Sequence, residues 1–169
     1  MGINIKLHDK ASLINYAVMA ADDGITTTFA VVAGSLGAAL SPTVVIILGF
    51  ANLFADGISM TTGSYLGLKS ELEVEKEKVG NKPIKSALAT FVSFVVFGFL
   101  PLIPYVFKIK YSFVSSAVLV FLSLMVVGLM RGVLIKKNKL RCMVENITIG
   151  GLAAFVAYIV GFLVDKYLI

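Results

Sequence analysis

Long apolar runs separated by short polar patches dominate the chain, and they divide into five segments. The first runs from about Ser12 to Leu40, the second from about Thr43 to Leu68 and the third from about Ile84 to Phe107. The fourth covers about Ser112 to Ile135 and the fifth about Met143 to Ile169. Each is long enough for a helix to cross a hydrocarbon core of about 30 Å with some tilt. The runs are continuous rather than alternating, which argues against membrane strands. The pattern predicts an all-α integral membrane protein, one domain over residues 1–169 with five transmembrane helices.

Loop charge predicts the orientation. Lys6 and Lys10 precede the first segment, and the loop at about residues 69–83 with its edges carries Lys69, Lys76, Lys78, Lys82 and Lys85. Arg131, Lys136, Lys137, Lys139 and Arg141 surround the fourth connection. Of the 15 basic residues, only Lys108, Lys110 and Lys166 fall on the other side. Positive charge gathers on the cytoplasmic side of membrane proteins, so the N-terminus is expected in the cytoplasm and the C-terminus outside. The opening MGINIKLHDK leads to no short apolar region with a cleavage site, so no cleaved signal peptide is expected. Ser41-Pro42 predicts a tight external turn making the first two helices antiparallel neighbours. Pro101 and Pro104 are expected to kink or end the third.

Composition agrees with the membrane reading. The chain is 58% hydrophobic and 15% charged, against roughly half and a quarter in soluble domains. The net charge of +5 sits at segment ends, where it sets topology and does not point to nucleic acid. A single cysteine, Cys142, excludes an intrachain disulfide, and a single histidine, His8, excludes a multi-histidine metal cage. With no histidine in any span, a serine such as Ser35 has no base, and no HExxH motif is present. Neither an enzyme nor a resident cofactor is expected.

Asp22, Asp23, Asp56 and Glu145 are carboxylates that stand inside apolar segments. A charge at bilayer depth costs roughly 2.5–3.5 kcal/mol on insertion scales and persists where it faces a bundle interior or a pathway. Asn52, Asp56 and Met60 share a helix face at four-residue spacing. An amide, a carboxylate and a thioether together suit softer first-row metals while keeping Fe²⁺ and Mn²⁺ acceptable. Met60 has a plainer reading as a gap-filling core residue. Asp23 lies about 18 residues before Ser41 and Asp56 about 14 after Pro42, which sets both roughly 20–27 Å in from the turn. Asp22 and Asp23 point about 100° apart, so one of them is expected to line a pathway while the other caps a local break at Gly24. Glu145 can reach Arg141, four residues earlier. Glu71 and Glu75, in a run with Glu73 and Glu77, can gather cations at the cytoplasmic mouth or form a solvated helix end. A carboxylate in a dry interior is neutralised by a proton or a cation, so metal entry would displace protons.

Small residues recur at four-residue spacing: Ala30 and Gly34, Ala33 and Gly37, Gly63 and Gly67, Gly128 and Gly132, and Ala153, Ala157 and Gly161. Such spacing lets membrane helices approach closely, within one bundle or across a dimer seam. Five helices make a thin wall around a polar pathway, and a symmetric pair would thicken it.

The stretches DGITTTFAVVAG and GFANLFADGISMTTGSYLGLKSE, with the looser IGGLAAFVAYIVG, resemble the vacuolar iron transporter family. The resemblance implies a homodimeric Fe²⁺/Mn²⁺ transporter that exchanges metal for protons along the dimer interface. By motif position, Asp23 would be the pathway carboxylate of the first helix and Met60 the thioether of the second. Asn52 stands where plant-type members carry an acid, with Asp56 one turn later, and Tyr16 stands at another such position. The family's large glutamate-rich cytoplasmic domain has no counterpart in this short loop. The expected partners are a second copy, the bilayer, divalent metal ions and protons. The expected location is the cell membrane of a prokaryote, or a vacuolar or other organelle membrane of a eukaryote. The alternative is a membrane scaffold or regulator whose intramembrane acids bind a partner helix.

Overall fold

The computed structural model describes residues 2–76 and 78–168, with side chains described from residue 13 onward. Glu77 and the side chains of Lys6, His8 and Lys10 lie outside the described residues. The elements are α1 (Gly2–Gly37), α2 (Pro42–Val74), α3 (Lys82–Gly98), a 3-10 turn (Leu100–Leu102), α4 (Ile103–Val106), α5 (Ser112–Leu134) and α6 (Lys139–Leu168). No strand occurs among the described residues. Four of these stretches are long and apolar enough to cross a membrane: Pro42–Val74, Lys82–Val106, Ser112–Leu134 and Lys139–Leu168. The protein is an all-α membrane protein.

Several helices outrun the apolar segments that announce them. α1 starts well before Ser12, α2 continues past Leu68, and α6 begins ahead of Met143. Hydropathy reports transfer into lipid, whereas the helix is set by backbone hydrogen bonding. Lysine and glutamate are good helix formers and extend it into the polar zone. Between α1 and α2, Ala39 takes a left-handed conformation (φ 50°) and the Leu40 N–H donates to the Ser35 carbonyl at 2.9 Å. Ser41 is extended and Pro42 opens α2, where its missing N–H costs nothing. The prolines act where α3 ends. Pro101 and Pro104 turn the chain through a 3-10 segment into α4, and Ser116 of α5 donates to the Pro101 carbonyl at 2.7 Å. A neighbouring hydroxyl thus satisfies backbone at the bend.

α1 is the least apolar long helix, is not among the four apolar spans, and packs against α2, α3, α5 and α6. Its residues Ala21, Ile25, Phe29, Val32 and Ala33 form one wall of the core, with Val45, Leu102, Val120, Leu124, Val127 and Ala154 from its neighbours. Small residues permit the approach. A Cβ on Gly24 would meet the Phe94 carbonyl at 2.6 Å, so this glycine seats α1 on α3. α1 is continuous there, and the expected local break at Gly24 does not occur. Gly34 and Gly161 bring α1 and α6 together, and a Cβ on Gly128 would meet the Met143 backbone at 2.6 Å. Gly63 and Gly67 differ, because α2 turns both into open space. Large apolar side chains such as Ile47, Phe54, Leu88, Val118, Leu152 and Phe155 face outward, as a lipid-solvated bundle requires.

Candidate metal centre

Polar side chains inside an apolar bundle must find partners, and residue type decides whether the helix itself can supply one. A hydroxyl can donate to the carbonyl one turn back. Thr27 does so to Asp23 (2.9 Å), Thr61 to Gly57 (2.6 Å) and Thr62 to Ile58 (2.9 Å). An ionised carboxylate only accepts, and helix carbonyls offer it nothing. Each aspartate therefore needs a donor from another helix, a proton or a cation.

Asp22 has its donor. The Asn146 Nδ2 on α6 donates to the Asp22 Oδ1 at 2.7 Å, and the Asn146 Oδ1 accepts from the Arg131 guanidinium of α5 at 3.0 Å. Glu145 lies 3.9 Å from Arg131 and accepts from the Arg141 Nε at 3.1 Å. Glu145 is thus a helix-end residue paired as its spacing to Arg141 suggests, and with Arg131 besides. Asn146 and Arg131 were not legible as partners of Asp22. Their only signal is an amide and a guanidinium inside the ends of two otherwise apolar segments.

Asp23 and Asp56 have no such donor. Among the described residues, neither carboxylate makes a hydrogen bond or an ion pair, and Asp23 lies within electrostatic reach of Asp56. The structure thus sets these two predicted residues, on α1 and α2, within electrostatic reach of each other. Asp23 is exposed and Asp56 is half-buried. Met60 is half-buried and packs against Ala20, Leu53 and Phe94, so its thioether also serves the α1–α2–α3 contact. Asn52 has its Nδ2 buried with no hydrogen-bond partner among the described residues.

The loop acids stand apart from this group. Glu71 is exposed at the start of the last turn of α2, and Glu75 follows the helix and caps it. Lys69 pairs with Glu73 at 3.8 Å. Tyr16 of α1 is within electrostatic reach of Glu71. Among the described residues, no three His, Cys, Asp or Glu side chains converge as a metal-holding group. One copy thus offers two carboxylates, an amide and a thioether, on a face left partly open.

The model of the VIT family matches residues 14–82 and 74–162. The chain belongs to the VIT family. Relatives include a vacuolar iron transporter of Plasmodium falciparum, 25% identical over 82% of this chain and 77% of its own length. The vacuolar iron transporter homolog 3 of Arabidopsis thaliana is 26% identical over 88% of this chain and 82% of its own length. The vacuolar iron transporter of Toxoplasma gondii is 51% identical over 57 residues, 33% of this chain and 19% of its own length. The Plasmodium alignment spans 211 positions, more than this VIT-family chain contains, whereas the Arabidopsis one spans 164. The Plasmodium relative therefore carries inserted residues that the Arabidopsis one largely lacks, and in this respect the chain is built like the latter.

Proposed function

We propose that this VIT-family chain carries divalent transition-metal ions, Fe²⁺ and Mn²⁺ as substrates, out of the cytoplasm in exchange for protons. One observation carries the reading: Asp23 and Asp56, on neighbouring helices and within electrostatic reach of each other, receive no hydrogen bond on their carboxylates among the described residues. Two unpaired carboxylates in lipid are tenable when protons or a cation neutralise them. A dication satisfies both at once, and its departure leaves room for protons. Asn52 offers an amide oxygen and Met60 a soft sulfur, a donor set that suits Fe²⁺ and Mn²⁺ better than Mg²⁺. Glu71 and Glu75 gather cations at the cytoplasmic mouth.

The working unit in this proposal is a homodimer. An exposed Asp23 in contact with lipid would be costly, and a second copy laid on α1 and α2 covers it. Ser59, Gly63 and Gly67 line the same side of α2 and leave space for a close helix contact. Names of relatives support metal transport, and the loop charges support a cytoplasmic N-terminus.

The test is flux of Fe²⁺, Mn²⁺ and Zn²⁺ into liposomes holding the purified protein, with and without a pH gradient. The proposal expects Fe²⁺ and Mn²⁺ uptake that a gradient of the right sign accelerates, with proton movement in the opposite direction. No flux for any of the three would refute it and favour the scaffold.

A further inference from the structure

Asp22 is not used by the proposed transport, and unlike its neighbour Asp23 it receives a hydrogen bond from another helix. We infer that Asp22, Asn146 and Arg131 form a positioning clamp that fixes the rotation of α1 so that Asp23 faces α2; this rests on the transport reading for its functional consequence.

Neighbouring residues on a helix point about 100° apart, so the direction of Asp22 dictates that of Asp23. Much of the α1 surface against α3 and α6 is small, including Gly24, Ala33 and Gly34. Small side chains bring backbones close but constrain rotation weakly. A directed hydrogen bond supplies the missing constraint. Asn146 is 2% exposed, and its amide must donate to the anion and accept from the cation. The reverse orientation would set oxygen against oxygen and nitrogen against nitrogen. No hydrophobic side chain can replace it, and aspartate would confront Asp22 with a second anion.

The amide also solves a problem of depth. Arg131 remains 42% exposed near the α5–α6 turn, beside Glu145, while its charge is still felt at Asp22. A direct pair would draw the guanidinium further into the apolar layer. The close seating of α5 on α6 at Gly128 and Gly132, which flank Arg131, delivers guanidinium and amide to the same place. Three helices are thereby tied at one level, and α1 is held on a side about 100° away from the one that carries Asp23.

The test places a reporter cysteine at residue 23 (Asp23→Cys) in full-length protein in liposomes and measures labelling by a membrane-impermeant thiol reagent. Cys142 is buried and gives a low background. Adding Asn146→Leu or Asp22→Ala is expected to change the labelling rate about tenfold, the scale of a hydrogen bond to a charged group. Asp22→Asn keeps an acceptor and should change it less. With Asp23 intact, the Asn146→Leu protein that folds should show a raised apparent KM for Fe²⁺. If Asn146→Leu does not fold, Arg131→Lys, which keeps the charge but loses the planar fork, is judged by the same labelling rate. Unchanged labelling in all the variants that fold would overturn the clamp, whatever the flux. Altered labelling with no metal flux in wild type would uphold the clamp and overturn the transport reading alone.

Discussion

Two carboxylates adjacent in sequence, Asp22 and Asp23, meet opposite surroundings on the two sides of α1. On one side Asp22 is closed in by α5 and α6 and receives a 2.7 Å hydrogen bond from Asn146. On the other, Asp23 is exposed beside Asp56 with no donor among the described residues. The chemistry of the two groups is identical, so the difference lies wholly in what the neighbouring helices present. A satisfied carboxylate holds the bundle together. An unsatisfied one is available to a proton or a metal ion.

The largest effect should come from the open side. Asp23→Ala is expected to reduce Fe²⁺ flux to the level of empty liposomes while the protein still purifies as a folded species. Wild-type flux from that variant would break the comparison. On the closed side, Asn146→Leu removes a buried amide that bonds both Asp22 and Arg131, and a hydrogen bond to a charged group is typically worth about 1.5–3 kcal/mol. A marked loss of thermal stability in detergent, paired with a small change for Asp23→Ala, would sharpen it.

Gly128→Ala pushes a methyl into the Met143 backbone and should cost about 1–3 kcal/mol, read as a lowered melting temperature. Gly63→Ala meets open space in the single copy. It should leave monomer stability alone and weaken self-association, measured by single-molecule dimerisation in bilayers. Met60→Leu conserves volume and should cost less than about 1.5 kcal/mol in stability, while shifting preference from Fe²⁺ toward Mn²⁺. The smallest effect belongs to the surface pair: Lys69→Ala should change stability by under about 1 kcal/mol.

Much of the fold was legible because a membrane helix must be apolar over a fixed length. The runs ending near Leu68, Phe107 and Ile135 mark helices that the structure contains. The placement of α1 was not. Its polar content makes it the poorest span by hydropathy, yet it packs against four helices, which cover much of its surface while leaving Asp23 exposed. For the proposed site, depth and four-residue spacing on adjacent helices single out Asp23, Asp56, Met60 and Asn52 as candidates, and the structure adds that Asp56 is within electrostatic reach of Asp23. Asp22 could not be separated from Asp23 by spacing, since its partners Asn146 and Arg131 lie more than a hundred residues away in sequence. Gly24 suggested a local helix break because glycine is permissive, but α1 is continuous there and the Phe94 carbonyl beside it shows that it serves packing.

The most direct measurement is Fe²⁺ binding by calorimetry to reconstituted Asp22→Asn and Asp23→Asn proteins under reducing, oxygen-free conditions. Loss of binding in Asp23→Asn, with binding kept in Asp22→Asn, is the predicted result. Equal loss in both, or loss in Asp22→Asn alone, would contradict the division of roles between the two faces of α1.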